Sequence, residues 1–201
     1  MIRVEDRGAA RLVTLYRPDK ANALTQLMLA ELDAAVARAA ADGVSVLILT
    51  GRGKVFSAGA DLDGMTQGLG QAPEWEVLSR RIAHYPGLTI AALNGTLAGG
   101  AFGMVLACDL RVAVPAAQFF YPVMKRGYLP QPSDPARLQA LVGPARARQI
   151  ILAGRRVTAD EALAWGLVDV IDEDVVEATL ALAADALQAD PAHVRRMKAM
   201  F

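Results

Sequence analysis

Two apolar runs rich in branched residues, 44–49 and 89–93, each lead straight into a glycine-rich bend and then into a helical pattern. That repeated strand-to-helix bend constrains the fold more than any other feature, because near-continuous apolar runs of this length suit strands covered on both faces. In the first bend Gly51, Gly53 and Gly59 permit backbone angles closed to other residues, so amide N–H groups can face inward toward a ligand. In the second, Gly99, Gly100, Ala101 and Gly103 let backbone or substrate approach a helix start closely. Each bend alone also fits a plain connection, the first with Asp61 as a helix cap and the second as dense helix-to-sheet packing. The pair is more informative, since two such bends can supply two converging N–H donors for an oxyanion.

The rest of the chain reads as alternating strands and helices. Residues 2–15 alternate apolar and polar around Arg7-Gly8, the pattern of a β-hairpin. From Thr25, a plausible N-cap, Leu27, Met28, Leu32, Ala35 and Val36 recur at helical spacing until Asp42-Gly43. Helices are expected over 74–85, from about 99 or 100, and over 134–141, 144–153, 158–165 and 174–189, with strands over 110–114, 118–121 and 168–171. This alternation predicts right-handed βαβ units and a largely parallel sheet. Residues 88–108 run uncharged long enough to resemble a membrane span, but Asn94-Gly95, Gly99-Gly100 and Gly103 punctuate the run as strand, turn and helix.

Composition removes several functions. The 21 basic and 21 acidic residues cancel, so no net field draws nucleic acid or an acidic membrane surface. One cysteine, Cys108, excludes an internal disulfide, and two distant histidines, His84 and His193, give no zinc-ligand spacing. Residues 1–7 have no apolar stretch and carry Glu5 and Asp6, so no export signal and a cytoplasmic location are expected. GRGKVFS lacks the gap of a phosphate-binding loop, GGAFG is not a dinucleotide fingerprint, and VFSAG has Val where a nucleophile elbow needs glycine ahead of Ser57.

The same segments resemble the crotonase (enoyl-CoA hydratase/isomerase) superfamily over almost the whole chain. Arg17-Pro18-Asp19-Lys20-Ala21-Asn22-Ala23-Leu24 resembles its R-P-x-x-x-N-A-L motif, and Phe56-Ser57-Ala58-Gly59-Ala60-Asp61-Leu62 its F-x-A-G-A-D-L/I loop. Residues 91–109 resemble its A-x-N-G-x-x-x-G-G-x-x-x-x-x-x-C-D turn, and Gly143, Arg146, Ala147, Gly154, Glu161 and Gly166 fall in its downstream pattern. The resemblance implies an α/β fold, a ββα spiral of mostly parallel sheets with surrounding helices, forming a single domain over residues 1–201. It implies an acyl-CoA substrate, with coenzyme A as part of that substrate and no prosthetic group. Oxyanion donors would be the N–H groups of Ala60 and Gly100. Lys20, Ala23, Ala58, Asp61 and Leu62, with Ala60, would lie against coenzyme A. Lys20 reads equally well as a solvated surface lysine. Family members assemble as trimers or hexamers, so a homo-oligomer is expected, with the C-terminal helical region short or missing.

The departures are specific. The two glutamates that hydratases of the family use fall at Gly103 and Val123, and a third site, aspartate in some members, falls at Gln131. An acid–base group contributes about 10²- to 10⁴-fold, so ordinary hydration is not expected. Tyr121, Lys125, Tyr128, Gln131 and Asp134 are the polar groups placed to reach an acyl group, with Tyr121, Gln131 and Asp134 as the catalytic candidates. Asp134 also reads as an N-cap before Pro135, and that pairing favours the capping role. A CoA-ester binding protein without catalysis, or a scaffold, is the alternative.

Overall fold

The computed structural model describes residues 1–201. Strands β1 (Ile2–Arg7) and β2 (Ala10–Leu15) form the expected hairpin, paired from Ile2↔Leu15 to Arg7↔Ala10. Helix α1 (Gln26–Ala41) starts where the Thr25 side chain accepts a hydrogen bond from the Met28 amide at 3.2 Å. Its buried stripe is Met28, Leu29, Leu32, Ala35, Val36 and Ala39. Leu27 faces solvent instead, because Leu29 occupies the inward position.

A strand-strand-helix order then repeats. β3 (Val46–Gly51) and β4 (Val55–Ser57) precede α2 (Leu62–Thr66) and α3 (Glu74–Ala83). β5 (Leu88–Leu93) and β6 (Thr96–Ala98) precede α4 (Phe102–Leu106), and β7 (Leu110–Ala113) and β8 (Gln118–Phe120) precede α5 (Val123–Arg126). In each round the first strand joins a six-stranded sheet of order β1-β2-β3-β5-β7-β10 and the second joins a four-stranded sheet of order β4-β6-β8-β9. The chain therefore spirals as ββα rather than simple βαβ. The short strands β4 and β6, three residues each, lie inside what reads from sequence as glycine-rich turn.

The remaining elements are α6 (Asp134–Val142), α7 (Pro144–Ile151), β9 (Val157–Thr158), α8 (Ala159–Trp165), β10 (Val170–Ile171), α9 (Val175–Leu182), α10 (Ala184–Gln188) and α11 (Pro191–Lys198). The helix expected over 174–189 is two helices meeting at Ala183. Helix α11 lies beyond the helices that the spacing predicts; Asp190 caps it through the Ala192 and His193 amides, and Lys198 ties it to the Gly87 carbonyl and the Asp109 carboxylate.

Strand alternation sorts the large sheet into two cores. Val13, Leu47, Leu49, Ala91 and Leu93 face the cluster shared with α1 and α3, while Leu12, Val46, Ile48, Ile90, Ala92 and Val112 face Val175 of α9. The uncharged run over 88–108 is β5, β6 and α4, and no helix is long and apolar enough to cross a membrane.

Candidate active site

Two asparagine-centred networks shape the first bend, with Asn22 buried and Asn94 partly exposed. Ala21 and Asn22 both take left-handed backbone angles, with φ of 49° and 52°. Held there, the Asn22 side chain accepts from the Arg17 amide at 2.9 Å and donates to the Arg52 and Val55 carbonyls at 3.0 and 2.7 Å. Asn94, at the end of β5, accepts from the Gly51 amide at 2.9 Å and donates to the Gly53 carbonyl at 2.8 Å. The Ser57 hydroxyl donates to the Asn22 carbonyl at 2.8 Å and accepts from the Gly59 amide at 3.2 Å, so it braces the bend, buried and away from the cleft lining.

The two bends then meet. Leu24 pairs with Ala60, its amide donating to the Gly59 carbonyl at 2.7 Å and its carbonyl accepting from the Asp61 amide at 2.9 Å. Gly59 has φ of +91°, and a Cβ there would stand 2.8 Å from the Ala98 carbonyl oxygen and 3.3 Å from the Gly100 nitrogen. Glycine is thus required for the close approach. No hydrogen bond within the chain uses the N–H of Ala60 or of Gly100. Both residues line one cleft of about 640 Å³.

Lys20, Ala23, Ala58, Asp61 and Leu62 line this cleft as well. Asp61 caps α2 through the Gly64 amide and meets Arg17 at 2.6 Å, while Arg17 also donates to the Ala23 carbonyl at 2.9 Å. The Arg17 guanidinium holds the Asp61 carboxyl below the usual carboxylate range. Both readings of the Asp61 segment therefore coexist, a cap and a cleft wall. Lys20 is exposed and also on the cleft.

Tyr121, Tyr128 and Gln131 line the far part of the cleft, with Val123 beside them. Lys125 does not: it is exposed on α5, and Arg126 takes the cleft-facing position. Asp134 is not an N-cap. Ser133 precedes α6 without capping it, its hydroxyl donating to Glu76 at 2.9 Å, and Asp134 is the first helical residue, fully buried behind Tyr121. The Tyr121 hydroxyl donates to Asp134 Oδ2 at 2.8 Å and Oδ1 has no partner. Burial pushes the Asp134 carboxyl up to about 7. The contact spans 13 residues, and only packing creates it.

Sequence reasoning missed Trp75, Arg126 and Arg156. The Trp75 indole donates to the Leu69 carbonyl at 2.7 Å, and its ring edge faces Gly100. Arg156 lies over the Phe120 ring at 3.9 Å. Trp75 is on α3, Arg126 on α5 and Arg156 in the connection before β9, with no local motif to join them. His84 is exposed at the end of α3, its Nδ1 2.8 Å from the Arg80 carbonyl, away from the cleft. Cys108 is buried two residues beyond α4, its thiol bonded to the Met104 carbonyl and pushed up to about 12 by burial. No cluster of three or more His, Cys, Asp or Glu is placed to hold a metal ion.

A ββα spiral in which two glycine bends meet over one cleft is the crotonase fold. The chain belongs to the enoyl-CoA hydratase/isomerase family, whose sequence pattern matches residues 5–201. It is 39% identical over 183 residues to a probable enoyl-CoA hydratase of Mycobacterium tuberculosis, spanning 86% of this chain and 70% of that protein. It is 34% identical over 205 aligned positions to a 4-chlorobenzoyl coenzyme A dehalogenase of an Arthrobacter species, spanning 96% and 74%. The crystal structure of an enoyl-CoA hydratase from Bacillus anthracis superposes with a TM-score of 0.92 at 30% identity, covering 98% of this chain and 80% of that one.

Proposed function

We propose that this chain is an acyl-CoA thioester enzyme that holds a thioester enolate between the amides of Ala60 and Gly100. The observation that carries the reading is that both amides are uncommitted, both residues line a single cleft, and Gly59, next to Ala60, packs against Gly100. Each such donor is typically worth about 3 kcal/mol in the transition state. The relatives named above take CoA thioesters by their names, which supports the same substrate class here. Basic side chains of Lys20, Arg126 and Arg156 on the cleft suit the phosphates of coenzyme A, with Ala23, Ala58, Asp61 and Leu62 as the wall against it. No prosthetic group enters the reaction.

Glycine at 103 and valine at 123 offer no proton at the positions where the resemblance sets the hydratases' glutamates, so isomerisation or decarboxylation fits the cleft better than hydration. The same two residues favour a second reading, a CoA-ester binding protein without turnover. The reading also takes residues 1–201 as one domain that assembles as a homo-oligomer.

Incubating the purified protein and its Gly100→Pro variant with enoyl-, malonyl- and aryl-CoA esters tests the proposal. Proline removes one donor, and turnover is expected to fall by about 10²- to 10³-fold. Tight binding with no turnover by either protein selects the second reading; equal rates of the two refute the site.

A further inference from the structure

We propose that Tyr121 and Asp134 are the proton-transfer pair of this cleft, Tyr121 as the catalytic residue and Asp134 as the positioning residue behind it, acting on a β,γ-unsaturated acyl-CoA. The inference rests on the thioester reading above and names the acid–base group and substrate class that reading leaves open.

The geometry is that of a built device. Tyr121 lines the cleft, and its ring stacks on Phe102 with centroids 5.2 Å apart and an 18° interplanar angle. Its hydroxyl is fixed between two partners, donating to Asp134 Oδ2 at 2.8 Å and accepting from the Gln131 amide at 3.4 Å. Asp134 is wholly buried with Oδ1 unpaired, a burden on the fold of the kind that concentrates where a protonation state is used. From α4, Gly103 presents no side chain, and a Cβ there would stand 3.0 Å from Oδ1. The position at which the family resemblance sets a glutamate is thus empty of side chain, and a carboxyl from α6 fills the adjacent space. The other charged groups facing Asp134 are Arg137 on its own helix, which favours its ionised form, and Glu76 on α3, which opposes it. Glu76 is itself engaged by Ser133 and Arg80. Burial raises both hydroxyl and carboxyl, and puts Asp134 at about 7, so both of its protonation states are accessible near neutrality. The other carboxylates on the cleft do not compete: Asp61 is bound by Arg17, and Asp63 is exposed on α2.

A single relay suits a reaction that removes one proton and returns it. With Asp134 ionised, the Tyr121 oxygen takes the α-proton of the thioester while its own proton passes to Oδ2. The C–H electron pair moves onto the thioester oxygen as a dienolate held by the amides of Ala60 and Gly100. Tyr121 then protonates the γ-carbon and recovers its proton from Asp134, and the electrons return to form the carbonyl and an α,β double bond. Protons and electrons balance without a co-reactant.

The probe is but-3-enoyl-CoA, with appearance of the conjugated product followed by absorbance and binding measured by calorimetry. Turnover is expected to rise with pH through about 7 and then level, because the step needs ionised Asp134. Asp134→Asn keeps an acceptor for Tyr121 but takes no proton, so it should bind the ester normally and lose about 10²- to 10⁴-fold in kcat with a flat pH profile; Tyr121→Phe should lose as much. An Asp134→Asn protein with wild-type rate or an unchanged profile overturns the proposal. Should neither variant fold, the wild-type protein decides: the assigned carboxyl carbon of Asp134 must titrate at the midpoint of the rate profile, and a mismatch overturns the pair. Wild-type protein that binds the ester without isomerising it removes the pair and leaves the oxyanion reading standing, whereas failure to bind any acyl-CoA sinks that reading itself.

Discussion

The two aspartates on either side of the cleft, Asp61 in its wall and Asp134 beneath Tyr121, differ in what surrounds them and so in what each does to the fold. Asp61 meets Arg17 and caps α2, and both contacts favour its charge against the cost of partial burial. Asp134 has one hydrogen bond, no ion pair and no solvent, so its charge is opposed. One stabilises as a carboxylate, the other as an acid. The contrast shows that an aspartate's role here follows from the partner it finds across the chain and not from the local motif it sits in.

The largest expected effect is in stability against pH. Asp134 has a folded pKa raised above its unfolded value, so its contribution is most favourable in acid and is lost as pH rises from about 4 through about 7. Asp61 has a lowered one, so its contribution holds above about pH 4 and is lost below. Urea unfolding at about pH 4.5 and about pH 8 should show Asp134→Asn gaining on the wild type at the higher pH, with a ceiling of about 4 kcal/mol. An equal difference at both pH values breaks the comparison. Next in size is Arg17→Ala, which strands a carboxylate in the wall and should cost about 2–3 kcal/mol, below the range for a fully buried pair. Unfolding in the acid range should then lose its dependence on Asp61, and an unaltered acid profile would mean that Arg17 is not what holds that charge. Smallest is Gly103→Ala, whose methyl crowds Asp134 Oδ1 and should cost about 1 kcal/mol while raising the midpoint of the Asp134 carboxyl carbon in NMR titration. A lowered midpoint would show that the crowding drives Asp134 toward a polar partner.

The wall was more legible in sequence than the floor. The caps formed by Thr25 and Asp61 act through amides three residues away, so spacing exposes them. Asn22 and Asn94 are present in the motif-bearing segments, but their role as stitches between Arg17, Gly51, Arg52, Gly53 and Val55 depends on strand register. The reading of Asp134 as a cap followed from Pro135, a sound local rule that the packing of α6 on Tyr121 overrides. Trp75 was hidden for the same reason, since its contact with Gly100 joins α3 to the second bend across 25 residues of chain.

The corner at Ala21 and Asn22 is written in mirror-image backbone geometry by ordinary L residues. Semisynthesis with D-alanine at position 21 would place there a residue whose own preference is that geometry. Such a chain would carry the same side chains and a stiffer threshold to the cleft, separating the handedness of the main chain from the chemistry it frames.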